Sequence, residues 1–146
     1  MKKTMRFVCI MLVCSLLLAV PAQAASAIEP RESAFFSSYG FDLEKVSSTS
    51  FRIWFDVVSN VVTMDELGAS EIVLYRSTNQ ENWVKIRTYT PENYPQMLDY
   101  NSVSHAGYVS YNYASSGYYY TACITYYAKN STGIGERSFY TEIIRM

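Results

Sequence analysis

From residue 41 onward, apolar and polar side chains alternate in short runs that are separated by polar turns. In the clearest run, Phe51 to Val58, Phe, Ile and Val occupy every second position, which is the period of a half-buried strand. A shorter strand is predicted before it, at Phe41 to Val46. Further strands are predicted at Glu71 to Arg76, Trp83 to Thr90, Tyr108 to Tyr113, Tyr118 to Lys129 and Arg137 to Ile144.

This pattern predicts an all-β protein that consists of a single antiparallel β-sandwich of about seven strands. Polar turns at residues 77–82 and 130–135 separate neighbouring strands and are typical of hairpins. The one candidate helix, Met64 to Leu67, is too short to be stable alone. We find no internal repeat in the sequence and no second domain.

The beginning of the chain follows a different pattern. Three basic residues within the first six positions precede an apolar run, Phe7 to Val20, and two A-x-A sequences then end at Ala24 and Ala27. This order is typical of a cleaved secretory signal peptide, and the run is shorter than the about 20 residues that span a membrane. We therefore predict a signal peptide at 1–27, cleaved after Ala24 or Ala27, and a secreted protein without a membrane span after cleavage.

We expect residues 28–38 to form a mobile lead-in and residues 39–146 to form the sandwich domain. The whole chain has 12 Lys+Arg and 13 Asp+Glu, and three of the bases lie within the predicted signal peptide. The predicted mature chain therefore has nine bases against 13 acids. This acidic balance provides no electrostatic basis for binding nucleic acid.

Cysteine and histidine are scarce in the predicted mature chain. Cys123 is its only cysteine, so no internal disulfide can form, and a dimer linked through Cys123 is expected if that residue is exposed. His105 is the only histidine and falls in a segment predicted to be a loop. One Cys and one His are too few for a zinc site, so we expect no metal, no cofactor and no enzyme activity. The enzymatic alternative is a thiol enzyme that uses Cys123 with His105.

The strand from Tyr120 to Asn130, with Gly133 after it, resembles the penultimate strand and final hairpin of fibronectin type III and related immunoglobulin-like modules. In that pattern a Tyr opens the strand, small or aliphatic residues alternate inward, and an Ala-x-Asn sequence leads to a Gly turn. Phe55 stands where such modules usually have a Trp in an early strand, because Trp54 is one residue out of phase. The resemblance implies a β-sandwich.

The mature chain is also similar to small secreted proteins of unknown function from Gram-positive gut bacteria. The residues that carry this similarity are Met64 to Ser70, the Asn82-Trp83 pair and the Tyr-Tyr-Ala stretch at 126–128. This resemblance, too, implies a sandwich, and a fold alone does not specify a function.

The candidate binding residues follow from the alternation on two strands. On Tyr118 to Lys129, we expect the odd-numbered positions, including Tyr119 and Tyr127, at the surface and the even-numbered positions in the core. On Trp83 to Thr90, we expect Val84 and Ile86 to face the core and the outward face to carry Trp83, Lys85, Arg87 and Tyr89. If the two strands are neighbours, as in a fibronectin-like sandwich, one exposed aromatic face contains Trp83, Tyr89, Tyr119 and Tyr127.

An exposed aromatic face favours binding over catalysis. Aromatic rings bury a large area at a low cost in conformational entropy, and they suit sugar rings or the apolar groups of a protein. We therefore expect a secreted, non-catalytic module that recognises a glycan or protein at a cell surface. The alternative is a secreted effector, such as a bacteriocin-like or host-acting protein. Cross-strand aromatic pairs that only stabilise the sheet are the competing interpretation.

Overall fold

The computed structural model describes residues 35–60 and 62–146. The predicted signal peptide and residues 28–34 of the lead-in lie outside this described part. Within it, no helix is long and apolar enough to cross a membrane. The described elements are β1 (Phe36–Lys45), β2 (Phe51–Ser59), β3 (Met64–Ser77), β4 (Val84–Tyr89), a 3₁₀ turn (Pro95–Met97), β5 (Leu98–Ser102), β6 (Ser104–Tyr111), β7 (Tyr119–Asn130), β8 (Gly133–Tyr140) and β9 (Ile144–Arg145).

The strands form two antiparallel sheets, as the sequence predicts. The smaller sheet has the order β1-β2-β6, and the larger sheet has the order β4-β3-β7-β8. In the larger sheet, β5 pairs with the first part of β3, on the same edge as β4, and β9 pairs with the start of β7. The predicted all-β antiparallel sandwich is confirmed.

The inner faces of the two sheets meet in one hydrophobic core. Along β2, the four predicted inward residues, Phe51, Ile53, Phe55 and Val57, are all buried. Along β7, every even-numbered residue from Tyr120 to Ala128 has no exposed surface. The alternation on these two strands is therefore the one that the sequence predicts.

β3 stays in phase with the core over 14 residues because it contains a bulge. Ala69 pairs with Tyr126 and Glu71 pairs with Thr125, so Ser70 has no partner of its own on β7. The extra residue lets Ala69 and the next inward residue, Ile72, both face the core. The one candidate for a helix, Met64 to Leu67, is instead the start of β3 and is paired on both sides, with β5 and β7.

Several predicted boundaries also differ from the structure. β1 begins at Phe36, which is buried, so residues 36–38 of the expected lead-in belong to the first strand. β5 was not predicted; it has only five residues, and three of them, Asp99, Asn101 and Ser102, are polar. The last predicted strand, Arg137 to Ile144, is divided into β8 and β9 at Thr141. There the Thr141 hydroxyl accepts a hydrogen bond from the backbone N–H of Ala122 at 3.0 Å.

Two buried tyrosines join the sheets on opposite sides of the sandwich. On one side, Tyr126 of β7 donates its hydroxyl hydrogen bond to the carbonyl oxygen of Gly40 on β1. On the other, Tyr89 of β4 donates to the carbonyl of Ser110 on β6 at 3.2 Å. Burial raises the pKa of both tyrosine hydroxyls above the usual value of tyrosine. We refer to these two contacts as the tyrosine clasps.

Candidate functional site

Three of the four predicted binding residues lie on the outer face of the larger sheet, the face turned away from the core. Tyr119 and Tyr127 are half-buried there, at odd-numbered positions of β7, and Trp83 lies just before β4 on the same side. The two tyrosines are separated by about 26 Å along the strand, at about 3.3 Å per residue. They therefore cannot contact the same small ligand, and Tyr119 is also covered by Arg145, whose guanidinium lies 5.4 Å from its ring centroid.

The fourth predicted residue, Tyr89, was wrongly placed on this face, because it is fully buried in the core. β4 contains a bulge, since Leu74 pairs with Arg87 while the next residue of β3, Tyr75, pairs with Lys85. The unpaired residue, Ile86, reverses the expected alternation and turns Tyr89 inward. In addition, β3 lies between β4 and β7, so the condition that these two strands are neighbours in the sheet is not met.

The rings on the outer face instead gather around a shallow depression of about 370 Å³. Tyr75 of β3, Trp83 and Tyr140 of β8 supply its aromatic walls. The ring centroids of Tyr75 and Tyr140 are 6.1 Å apart, and Tyr140 is 64% exposed. We call this site the aromatic depression; its other lining residues are Thr121, Thr141 and Ile143.

The pairing register explains why these rings surround a hollow. Tyr75 pairs with Thr121 on β7, and Tyr140 pairs with Cys123, so small side chains on the central strand separate large ones on the flanking strands. Trp83 is held at the β3–β4 turn, because its indole N–H donates a hydrogen bond to the carbonyl of Gln80 at 3.1 Å. The indole of Trp83 is therefore oriented by the turn that precedes β4.

Tyr75 and Tyr140 were missed by the sequence analysis, although a signal for both existed. Each lies in a segment that was predicted as a strand, and Tyr75 follows Leu74, which is fully buried and points to the opposite face. Applying the alternation to every predicted strand, rather than to two, would have placed Tyr75 on the outer face. For Tyr140, the predicted hairpin indicates that β8 lies beside β7, but it does not give the register that pairs Tyr140 with Cys123.

The lining of the aromatic depression carries no charged side chain. Beside it, burial raises the pKa of the Cys123 thiol above its usual value, and the adjacent hydroxyl of Tyr140 offsets part of this rise. The charge that would form on Cys123 in turn raises the pKa of Tyr140, with a smaller effect from Tyr75. Both groups are therefore neutral at neutral pH, and binding in the depression must rely on ring contacts and on hydrogen bonds between uncharged groups.

The raised pKa makes Cys123 a weak nucleophile near neutral pH, because only the thiolate reacts. Alkylation by iodoacetamide can be measured by mass spectrometry at a series of pH values. We expect its midpoint to lie above pH about 8.5, which is the pKa of a free thiol. Tyr140→Phe should move the midpoint further upward, since the hydroxyl that favours the thiolate is lost. A midpoint below that of the urea-unfolded chain would contradict this. The disulfide-linked dimer through Cys123 stays a prediction.

Cys123 and His105 are not brought together. Cys123 is on the outer face of the larger sheet, whereas His105 belongs to the smaller sheet and not to a loop as expected, because it pairs with Val57 in the ladder of β2 and β6. A ring nitrogen of His105, Nε2, lies 2.9 Å from the carbonyl oxygen of Gln96. Among residues 35–60 and 62–146, no group of three or more His, Cys, Asp or Glu side chains is placed to hold a metal ion.

Comparison with known proteins assigns no family to the chain. No protein-family model matches it, and no curated protein matches it either. The sandwich and the aromatic depression on its outer face are therefore the observations from which a function is inferred.

Proposed function

We propose that the chain is a secreted, non-catalytic binding module whose sandwich is of the fibronectin type III or immunoglobulin-like type. Seven of its strands divide into sheets of three and four, β1-β2-β6 and β4-β3-β7-β8, and the chain crosses between the sheets in the manner of Greek-key sandwiches. Secretion rests on the pattern of residues 1–27. The family type is supported by the strand order and by one local feature near the start of β7.

That feature is the hydrogen bond of Tyr120, a buried residue that follows the connection from β6. Its hydroxyl accepts a hydrogen bond from the backbone N–H of Ser115, five residues upstream, at 2.9 Å. Immunoglobulin-like domains have a tyrosine corner at this place, in which a Tyr near the start of the penultimate main strand bonds the backbone a few residues before it. The contact thus supports the resemblance that the sequence of β7 shows.

The observation that supports ligand binding is the aromatic depression itself. Trp83, Tyr75 and Tyr140 keep exposed ring surface on the side of the sheet that does not contribute to the core. The volume of about 370 Å³ lies at the lower end of the range for small-ligand sites, about 300–1,000 Å³. Since a protein partner would usually bury about 800 Å² on each side, the depression favours one or two units of a cell-surface glycan.

A glycan-array screen and a cell-binding assay with the protein lacking residues 1–27 test this function. We expect a specific glycan to bind, and Trp83→Ala and Tyr140→Ala each to weaken binding at least about tenfold, which corresponds to about 1.4 kcal/mol. Tyr100→Ala is the matched control, because Tyr100 is a 62% exposed aromatic residue on β5, outside the depression.

Two results would contradict the proposal. One is a glycan hit that both variants retain at full strength while their folding is unchanged. The other is the absence of any glycan hit, and growth inhibition of neighbouring bacterial strains by the purified domain would then support the secreted effector instead.

A further inference from the structure

A second cavity, of about 340 Å³, opens at the side of the sandwich where β4 and β6 form the last strands of the two sheet paths. It shares no lining residue with the aromatic depression. Arg87 of β4 lines one side, and Asn112 and Tyr113, which follow β6, line the other. Tyr94 and Gln96, from the segment around the 3₁₀ turn, also line it. We call this cavity the edge groove.

The guanidinium of Arg87 is held in position from two directions. Its Nη2 donates a hydrogen bond to the hydroxyl oxygen of Tyr94 at 2.8 Å. Its Cζ lies 5.3 Å from the ring centroid of Tyr89, which is itself fixed by the clasp to Ser110. The hydrogen bond with Tyr94 also raises the pKa of Arg87, so the side chain stays charged. A cation that is oriented in this way loses little freedom when a ligand binds.

No acidic side chain compensates this charge. The lining of the edge groove contains no Asp or Glu, and the ion pairs found in the described part of the chain are Arg52–Glu44 and Lys129–Glu66. A guanidinium has five N–H donors in a planar fork, and Tyr94 uses only one of them. Because that fork matches the two oxygens of a carboxylate, the arrangement favours a ligand that carries one carboxylate.

The uncharged part of the lining indicates what the carboxylate is attached to. The carboxamides of Asn112 and Gln96 both donate and accept hydrogen bonds, as the hydroxyl groups of a sugar require. Tyr113 is 72% exposed and supplies a ring face at the rim. We propose that the edge groove binds an acidic sugar, with Arg87 on its carboxylate, the two carboxamides on its hydroxyl groups and Tyr113 against its ring. This proposal does not depend on ligand binding in the aromatic depression.

The test is a titration of the ¹⁵N-labelled domain with glucuronic acid, followed by amide chemical shifts. Glucose is the neutral comparison, and acetate supplies the carboxylate without the sugar. We expect saturable shifts at residues 87, 94, 112 and 113 with glucuronic acid, and binding at least ten times weaker with glucose and with acetate. Shifts of equal size and affinity with glucose would overturn the role of Arg87 in binding the carboxylate. Equal affinity for acetate would overturn the proposed contacts with the sugar ring and its hydroxyl groups.

Variants separate the proposed contact from a general effect of charge. Arg87→Gln should weaken binding of glucuronic acid at least tenfold, and Arg87→Lys should weaken it as well, because an ammonium group lacks the planar fork. Arg145→Gln is the matched control, since Arg145 lies over Tyr119 in a similar cation–π contact but outside the groove. Unchanged affinity in the folded Arg87→Lys and Arg87→Gln variants would overturn the proposal, as would tighter binding of a peptide through its C-terminal carboxylate.

Discussion

Replacement of Gly68 by Ala is expected to lower the free energy of unfolding by at least about 3 kcal/mol, which would leave much of the protein unfolded. Gly68 lies on β3 where β5 begins to pair with it, and its φ is +153°. A Cβ at this position would overlap the carbonyl oxygen of Met97 and approach the Cα of Leu98 to 3.0 Å. Both neighbours are backbone atoms, and Met97 is fully buried, so neither can move without displacing β5 or the core.

Gly117→Ala is the matched control for this prediction. Gly117 also has a positive φ, +83°, but a Cβ there would have no atom within 4 Å. The expected cost is therefore only the conformational one, about 1–2 kcal/mol. Urea denaturation of the two variants measures the difference, and equal losses of stability would show that the close approach of β3 to the segment around Met97 is not rigid.

The second large effect is a steep loss of stability at alkaline pH. Tyr89 and Tyr126 are buried in the folded state, where their pKa values are raised, whereas in the unfolded chain they titrate near the usual value of about 10. The stabilisation from these groups is complete below pH about 10 and is lost as the pH rises from there toward the folded pKa values, because only the unfolded chain releases the protons. Each tyrosine is expected to remove about 1.4 kcal/mol per pH unit in this window.

Urea denaturation at a series of pH values from 8 to 12 measures this slope, and absorbance at 295 nm reports tyrosine ionisation. Tyr126→Phe should have a smaller slope than the unaltered protein. It should also be about 1 kcal/mol less stable at pH 8, because the hydrogen bond to Gly40 is lost. If Tyr126→Phe and Tyr89→Phe both keep the slope of the unaltered protein, the alkaline transition does not arise from the clasps.

The strands that the sequence predicts best are those whose alternation runs without interruption. β2 and β7 each keep one face in the core along their whole length, so the period of two is visible in the residues themselves. β3 and β4 contain bulges at Ser70 and Ile86, and neither residue differs from an ordinary strand residue. A bulge depends on how two strands fit together, and the sequence of one strand does not reveal that.

The same limit explains the prediction of the site. Trp83, Tyr119 and Tyr127 were assigned to the correct face because that assignment depended on local alternation alone. Tyr89 was assigned to the wrong face because of the bulge in β4. The meeting of Tyr75 and Tyr140 depends on the order of β3, β7 and β8 in the sheet. Strand order is set by long-range pairing, so the aromatic depression became visible only in the folded chain.

Both tyrosine clasps end on a main-chain oxygen, so neither contact depends on the side chain of the residue that accepts the hydrogen bond. Ser110 offers its carbonyl to Tyr89 and also lines the edge groove. Because almost any amino acid supplies the same carbonyl, position 110 is free to vary in its side chain while the sheets stay joined. A change of the side chain at position 110 should therefore leave the closure of the sandwich intact, provided that Tyr89 is kept.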